Sequence, residues 1–465
     1  MTGFLSPHPA SLPVAAIAPL RRLAVRNGLL LDAERWQVAH DYHRQRQNLH
    51  YQALHLPGIV CGLEVAVGPP PAEVSARYRD QRWLQVSPGV AIDAHGNLVV
   101  VDQPVSVHLA SLAEAQPHWV YLVVRHVDPE GLQRSQPTEI IAETFRLDEK
   151  KQPPGPLDIE VCRILLPPSD GPLLPAADVF APDVGEIDLR YRQQAQLRPQ
   201  ALVKVAYAQT ALASEDQRIR HSLETLLAAT QALYPALQGE ADLQAVDLGT
   251  SETASLETAP PALVDCDLFY LTHRQCLGLS PPAIATLQRH LHQGGVLLVE
   301  LPSRDGNFEE MHAIGRELDT AVADLQGSQR FADLRSQLAT EQVAVTESLD
   351  SRLAATQQAL LLHLSQPDWT PPPLAAPPED HPLRRSPFAF SQWPVIRQAP
   401  LRLYSGGGIV LALGDLSLAW AASSELALPR DRVRAAHELG INLLHFAWQR
   451  HHWTQIQQSA PVAPV

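Results

Sequence analysis

Two stretches decide the fold of the first part of the chain: RNGLLLDAERWQVAHDYHRQRQNLHYQALHLPGIVCGLEVAV at residues 26–67 and PGVAIDAHGNLVVVDQPVSV at residues 88–107. Asp32 is a suitable N-cap, and aromatic or apolar residues recur after it at helical spacing. The first stretch therefore predicts a helix over about residues 33–54, which Pro57 and the glycine after it end.

Several strands are predicted after this helix. The residues at 93–97 tolerate positive φ and suit a hairpin turn. Runs rich in β-branched and aromatic residues predict further strands at 118–127, 138–147 and 158–167. The fold class predicted for residues 21–166 is α+β, with one helix on a mainly antiparallel sheet.

The second part of the chain has the pattern of an α/β domain, predicted over residues 201–456. Its continuous apolar runs, such as VLLVELP at 296–302, alternate with helical patterns and are typical of buried parallel strands in βαβ units. A helical pattern over about 308–365 predicts an inserted helix pair. The proline-rich residues 167–200 are predicted to connect the two domains.

The composition is that of a globular protein, with 45% hydrophobic and 18% charged residues. A net charge of −14 disfavours a general nucleic-acid binder, which needs a basic face. The four cysteines form no C-x-x-C pair, so we expect buried thiols, no zinc site and no cofactor. We also expect no transmembrane segment and a cytoplasmic location. Residues 1–20 are predicted to be a flexible arm and residues 457–465 a tail.

The candidate pocket residues follow two predicted strands of the α/β domain. Loops at the carboxyl ends of such strands commonly bind ligands. His273 and Cys276 follow one strand, and Ser303 and Asp305 follow another. A nucleophile elbow, with small residues around the cysteine or serine on a sharp turn, is missing from the pattern. We therefore expect a domain without enzymatic activity, while a hydrolase or transferase using these residues, a ligand-binding pocket and an ordinary polar loop stay open.

The candidate interface residues are one tryptophan and four arginines. Trp36, Arg44 and Arg46 lie on the predicted first helix, and Arg190 and Arg192 end the connector in GEIDLRYR. Aromatic residues and arginines are enriched at protein interfaces. His40 and His43 have the i, i+3 spacing of two metal ligands, but the helix offers no suitable third ligand, so no metal site is predicted.

The first part of the chain, about residues 26–105, resembles the N-terminal module of tail- or baseplate-associated proteins in phage-tail-like contractile injection systems. The resemblance rests on Asn27-Gly28, the helix segment around Gln45–His50, GIVCGLEV at 58–65, PGVAIDAHG at 88–96 and GEIDLRYR at 185–192. It implies a subunit of a large cytoplasmic particle that contacts baseplate or sheath subunits. Cyanobacterial relatives attach to thylakoid membranes, so the resemblance also implies that indirect membrane attachment is possible.

The second part, about residues 201–455, resembles an uncharacterised bacterial domain family with a class I glutamine amidotransferase-like fold. The resemblance rests on LFYLTH at 268–273, Gly294-Gly295, His381-Pro382-Leu383, Gly414-Asp415-Leu416, Trp420 and GINL at 440–443. It implies a flavodoxin-like or amidotransferase-like sheet, and the family supplies no catalytic residue set to carry over. The long helical stretch near 320–370 departs from the family. Together the two resemblances predict a structural or adaptor subunit of a contractile injection particle.

Overall fold

The computed structural model describes residues 19–111, 116–128, 142–168, 171–210, 212–240, 242–248, 266–305, 308–326, 331–397, 399–422 and 426–458. The chain divides between Arg198 and Pro199 into two compact units, the N-terminal unit and the C-terminal unit. Both contain helices and strands, so the mixed α and β architecture predicted from the sequence is confirmed.

The N-terminal unit consists of one long helix followed by short strands. Its elements are α1 (Ala33–Leu54), β1 (His55–Leu56), β2 (Gly58–Gly62), β3 (Val65–Val67), β4 (Trp83–Val86), β5 (Gly89–Ile92), β6 (Leu98–Val101), β7 (Val105–His108), β8 (His118–Val127), β9 (Thr144–Lys150), β10 (Ile159–Leu166), β11 (Ile187–Asp188) and β12 (Gln196–Leu197). The strands form antiparallel sheets in the orders β2-β5-β6, β3-β4-β7, β11-β10-β8-β9 and β1-β12. Part of the strand predicted at 138–147 lies outside the described residues.

Helix α1 has the predicted bounds but contacts the sheets through polar groups. The Asp32 carboxylate accepts a hydrogen bond of 2.9 Å from the Arg35 backbone N–H, which satisfies one of the free amides of the first turn. The Gln52 side chain donates to the His95 carbonyl in the β5–β6 turn. Every residue of α1 is described, and none of them is buried.

Residues 171–198 belong to the N-terminal unit, although their prolines suggested a connector. Strand β11 pairs with β10, and β12 pairs with β1. Leu173 and Ile187 are buried in the core cluster of this unit. The proline content misleads because short segments between the prolines use their free backbone groups to extend the existing sheet edges.

The C-terminal unit contains β13 (Ala201–Val203), β14 (Val205–Ala208), α2 (Ala213–Leu233), β15 (Leu237–Gly239), β16 (Gln244–Val246), β17 (Leu268–Thr272), α3 (His273–Leu277), α4 (Pro281–His292), β18 (Val296–Leu301), α5 (Phe308–Asp324), α6 (Ala332–Leu364), α7 (Pro382–Arg385), β19 (Val395–Ile396), β20 (Ala399–Pro400), β21 (Arg402–Gly406), β22 (Ile409–Leu413), α8 (Leu416–Trp420) and α9 (Arg430–Gln458). Its main sheet has the order β16-β14-β17-β18-β22-β21. All neighbours in it are parallel except β21 and β22, which form a hairpin.

The main sheet is covered on both faces, because successive side chains of its strands enter two different core clusters. Tyr270 and Leu298 pack with residues of α2, α8 and α9 on one face. Phe269 and Val299 pack with residues of α3, α4 and α6 on the other. Helices α5 and α6 occupy the region where the sequence predicts an inserted helix pair.

Candidate functional site

A small cleft lies at the carboxyl ends of β17, β18 and β22 in the C-terminal unit. Its volume is about 110 Å³, which is room for a few water molecules or a small ligand group. The residues that line it come from α2, from the ends of these strands and from α8: Glu215, Arg218, Ile219, Ser222, Tyr270, Thr272, Arg274, Glu300, Pro302, Arg304, Asp305, Asp415, Ser417 and Leu418. The cleft therefore lies at the sheet edge where ligands of α/β proteins commonly bind.

The inner wall of the cleft contains a buried carboxyl group, Glu300. Its two oxygens accept hydrogen bonds from the Tyr270 hydroxyl and, at 2.9 Å, from the Ser417 backbone N–H. Burial raises the pKa of Glu300. Burial, followed by the Glu300 carboxyl, raises the pKa of Tyr270 well above its usual value. Sequence reasoning missed this pair because Glu300 lies inside the apolar run VLLVELP.

Asp415 forms a second polar cluster beside the cleft. The Ser303 hydroxyl donates to its carboxylate, and Arg397 forms a salt bridge to the same oxygen at 2.8 Å. Ser303, a predicted pocket residue, therefore contacts a carboxylate that is already paired with an arginine. The described contacts of its hydroxyl include no histidine, so its environment does not match that of an activated serine.

Cys276 lies outside the cleft, which corrects its prediction as a pocket residue. Its side chain is buried in the core cluster on the face of the sheet opposite Tyr270. Burial raises the pKa of the thiol to about 12, so the nucleophilic thiolate is disfavoured. The physical cause is local: Thr272 and Gln275 form a capping box that starts α3 and directs Cys276 inward.

His273 and Asp305 have different positions with respect to the cleft. Asp305 lines the cavity, whereas His273 does not. Burial lowers the pKa of His273, and the charge of Asp305 acts in the opposite direction. Of the four predicted pocket residues, the structure thus places only Asp305 on the cavity wall. It does not bring Cys276 or Ser303 together with a histidine and a carboxylate.

Three arginines line the same cavity, and one of them, Arg304, lies between the predicted pocket residues Ser303 and Asp305. Arg218 lies on α2, with a guanidinium nitrogen 3.7 Å from a carboxylate oxygen of Glu215. Arg274 is exposed on the short helix α3, and Arg304 is exposed in the loop that follows β18. The positions of Arg274 and Arg304 shortly after apolar strands were a usable signal, since arginines at the carboxyl ends of such strands commonly bind anions.

In the N-terminal unit, one side of α1 borders a groove of about 610 Å³. Two predicted interface residues, Trp36 and Arg44, line the groove together with Leu98, His126 and several further polar residues. The Trp36 side chain is 56% exposed. Arg44 forms salt bridges to Asp41 at 2.9 Å and to Asp128 at 3.4 Å, while Arg46 is exposed on the same helix.

Arg190 and Arg192 have internal roles, although the sequence suggested an interface. Arg190 forms a two-pronged salt bridge to the buried Asp188, with hydrogen bonds of 3.0 and 2.9 Å. Arg192 donates to the carbonyls of Leu63 at 2.6 Å and Gly62 at 3.1 Å. These carbonyls need donors because both residues have positive φ, 57° and 67°, and turn away from the regular ladder.

Among the residues that the structure describes, no group of three or more histidine, cysteine, aspartate or glutamate side chains is arranged to hold a metal ion. No helix in the described part of the chain is both long and apolar enough to cross a membrane. No protein-family model matches the chain, and no curated protein matches it.

Proposed function

We propose that this protein is a structural or adaptor subunit that works by docking to other proteins, in a contractile injection particle and at its baseplate. The observation that carries the proposal is the exposure of α1. Most of the stability of a protein helix comes from packing an apolar face, yet no residue of this 22-residue helix is buried. A partner that covers Trp36 supplies the missing packing.

The geometry of the C-terminal unit supports the same proposal. The polar groups at the carboxyl edge of the sheet already bind one another: Tyr270 with Glu300, and Ser303 and Arg397 with Asp415. The parallel strands follow the order 2-1-3-4-5, counted along the chain, which is the order of flavodoxin-like sheets. This order supports an amidotransferase-like fold used as a scaffold without the reactive thiol.

The test compares two tryptophans of equal exposure. Trp36 is 56% exposed on α1, and Trp453 is 57% exposed on α9. We expect the tagged full-length protein to sediment with a particle containing sheath and baseplate proteins. Trp36→Ala should reduce the bound fraction at least about tenfold, since a central aromatic anchor contributes 2 kcal/mol or more to an interface. Trp453→Ala should leave it unchanged. Sedimentation of the wild type free of such proteins, or equal behaviour of the two variants, contradicts the proposal.

A second candidate function is binding of a small anion in the cleft of the C-terminal unit. The observation that favours it is the set of guanidinium groups that line the cavity, Arg218, Arg274 and Arg304. Calorimetric titration with inorganic phosphate tests it. Binding that Arg304→Gln weakens and Arg430→Gln, a change at an exposed arginine of α9, leaves intact supports the candidate. No heat of binding at millimolar phosphate rejects it.

A further inference from the structure

The α5–α6 pair projects an arm whose helices bury little of their apolar surface. We define the hairpin arm as the described residues 308–326 and 331–352. Beyond the buried Phe308, the buried residues of the two helices begin again only at Leu349 among the described positions. The helices run antiparallel, because Gln342 donates to Asp319 and a Cβ on Gly315 would lie 4.0 Å from Val345.

The spacing of apolar residues shows which side of the hairpin arm is open. Met311, Gly315, Leu318, Val322 and Leu325 alternate by four and three residues, which is the seam of a heptad pattern. Ile314 precedes the seam position Gly315 on α5. On α6 the less exposed positions facing α5 are spaced by three and four residues, at Arg335, Leu338, Gln342, Val345 and Leu349, and Leu334 precedes the first of them. In an antiparallel pair these positions share one flank.

The two apolar side chains on this flank are largely solvent-exposed, Ile314 by 48% and Leu334 by 45%. From the helical rise and the register of the pair, they are about 18 Å apart along the arm. Two helices in contact bury one seam and leave such a flank open, and a third helix closes it, as in helical bundles.

The charge of the hairpin arm distinguishes between two possible occupants of the flank, a second copy of this arm and a helix of another protein. Residues 308–352 contain nine carboxylates and four arginines. Two copies of so acidic an arm repel each other, whereas lysines and arginines flanking the seam of an incoming helix are attracted. We propose that the Ile314–Leu334 flank is a docking site for a basic amphipathic helix of a partner protein.

The test uses the full-length protein and two synthetic helical peptides of about four heptads, both with leucine at the seam positions. One peptide has lysine at the flanking positions and the other has glutamate. We expect the lysine peptide to bind in a fluorescence anisotropy titration, with an affinity that falls as salt is added. The glutamate peptide should bind at least about tenfold more weakly.

Matched variants locate the binding surface. Ile314→Gln combined with Leu334→Gln removes the apolar side chains of the flank without changing the charge of the arm, and should weaken binding of the lysine peptide at least about tenfold. Thr340→Gln places the same side chain on an exposed position of α6 away from the flank, and should change the affinity for the lysine peptide less than about twofold relative to the wild type. Circular dichroism confirms that each variant stays folded.

Three results overturn the inference: no binding of the lysine peptide, equal binding of both peptides, or equal affinity for the flank variant and the wild type. Sedimentation velocity adds a fourth. A wild-type dimer that the flank variant dissociates would show that a second copy occupies the arm. This inference goes beyond the proposed function and is independent of it, because α1 and Trp36 take no part in the test.

Discussion

Arg192 was predicted at an interface but forms hydrogen bonds within the protein, and substituting it tests this internal role directly. Its guanidinium donates to the Gly62 and Leu63 carbonyls and, at 3.4 Å, to the Val161 carbonyl. It thereby ties the end of the 171–198 segment to the β2–β3 turn and to β10. Arg46, also expected at an interface, is exposed on α1.

Arg192→Ala leaves half-buried carbonyls without their charged donor. Hydrogen bonds from charged groups contribute about 1.5–3 kcal/mol each, and water replaces part of this at a half-buried site. We therefore expect a loss of about 3 kcal/mol in the free energy of unfolding. In a unit of this size that lowers Tm on the order of 10 °C. Arg46→Ala should change the free energy of unfolding by less than about 0.5 kcal/mol.

Hydrogen exchange resolved by peptide is the appropriate assay, because it reports the N-terminal unit separately. Peptides covering 58–67 and 159–166 should exchange faster in Arg192→Ala and at the wild-type rate in Arg46→Ala. If Arg192→Ala keeps wild-type exchange and stability but loses binding to a partner, the internal role assigned to Arg192 is wrong.

Three further predictions concern the C-terminal unit. Ellman's reagent should modify the exposed Cys61 in the native protein and reach Cys276 only on unfolding, because Cys276 is buried and burial raises the pKa of its thiol to about 12. Modification of Cys276 in the native protein would contradict its position in the core. Burial lowers the pKa of His290 from 6.5 to about 4. Between these two pH values the native state therefore binds fewer protons than the unfolded state. The free energy of unfolding should consequently fall by up to about 3 kcal/mol as the pH drops from 6.5 to 4. Urea titrations across that range should show a smaller fall in His290→Gln, and an equal fall would refute the assignment. Asn442→Leu removes three hydrogen bonds to backbone groups, one of Leu383 in α7 and two of Phe388 after it, and should cost about 3–5 kcal/mol in urea unfolding. A loss below about 1 kcal/mol would show that these bonds contribute little.

Much of the fold could be predicted from local sequence patterns. The bounds of α1 follow from Asp32 and Pro57, and the two helices of the hairpin arm follow from their heptad spacing. In each case the deciding residues are close neighbours along the chain, so pattern and structure share one physical cause.

Contacts between residues that are far apart in the sequence could not be predicted from the sequence pattern. Ser303 and Asp415 are separated by 112 positions, and Arg192 binds carbonyls about 130 positions away. The burial of Cys276 follows from the capping box of Thr272 and Gln275, which fixes where its short helix begins. Composition and spacing do not encode which of the candidate residues meet in the folded chain.

Hydrogen exchange along α1, measured in the isolated protein and in the contractile particle that we propose it belongs to, tests the central claim most directly. Because α1 buries none of its side chains, its amides should exchange rapidly in the isolated protein. Docking through Trp36 should slow them in the particle by at least about tenfold. Equal exchange of α1 in both states would contradict the claim that another protein covers this helix.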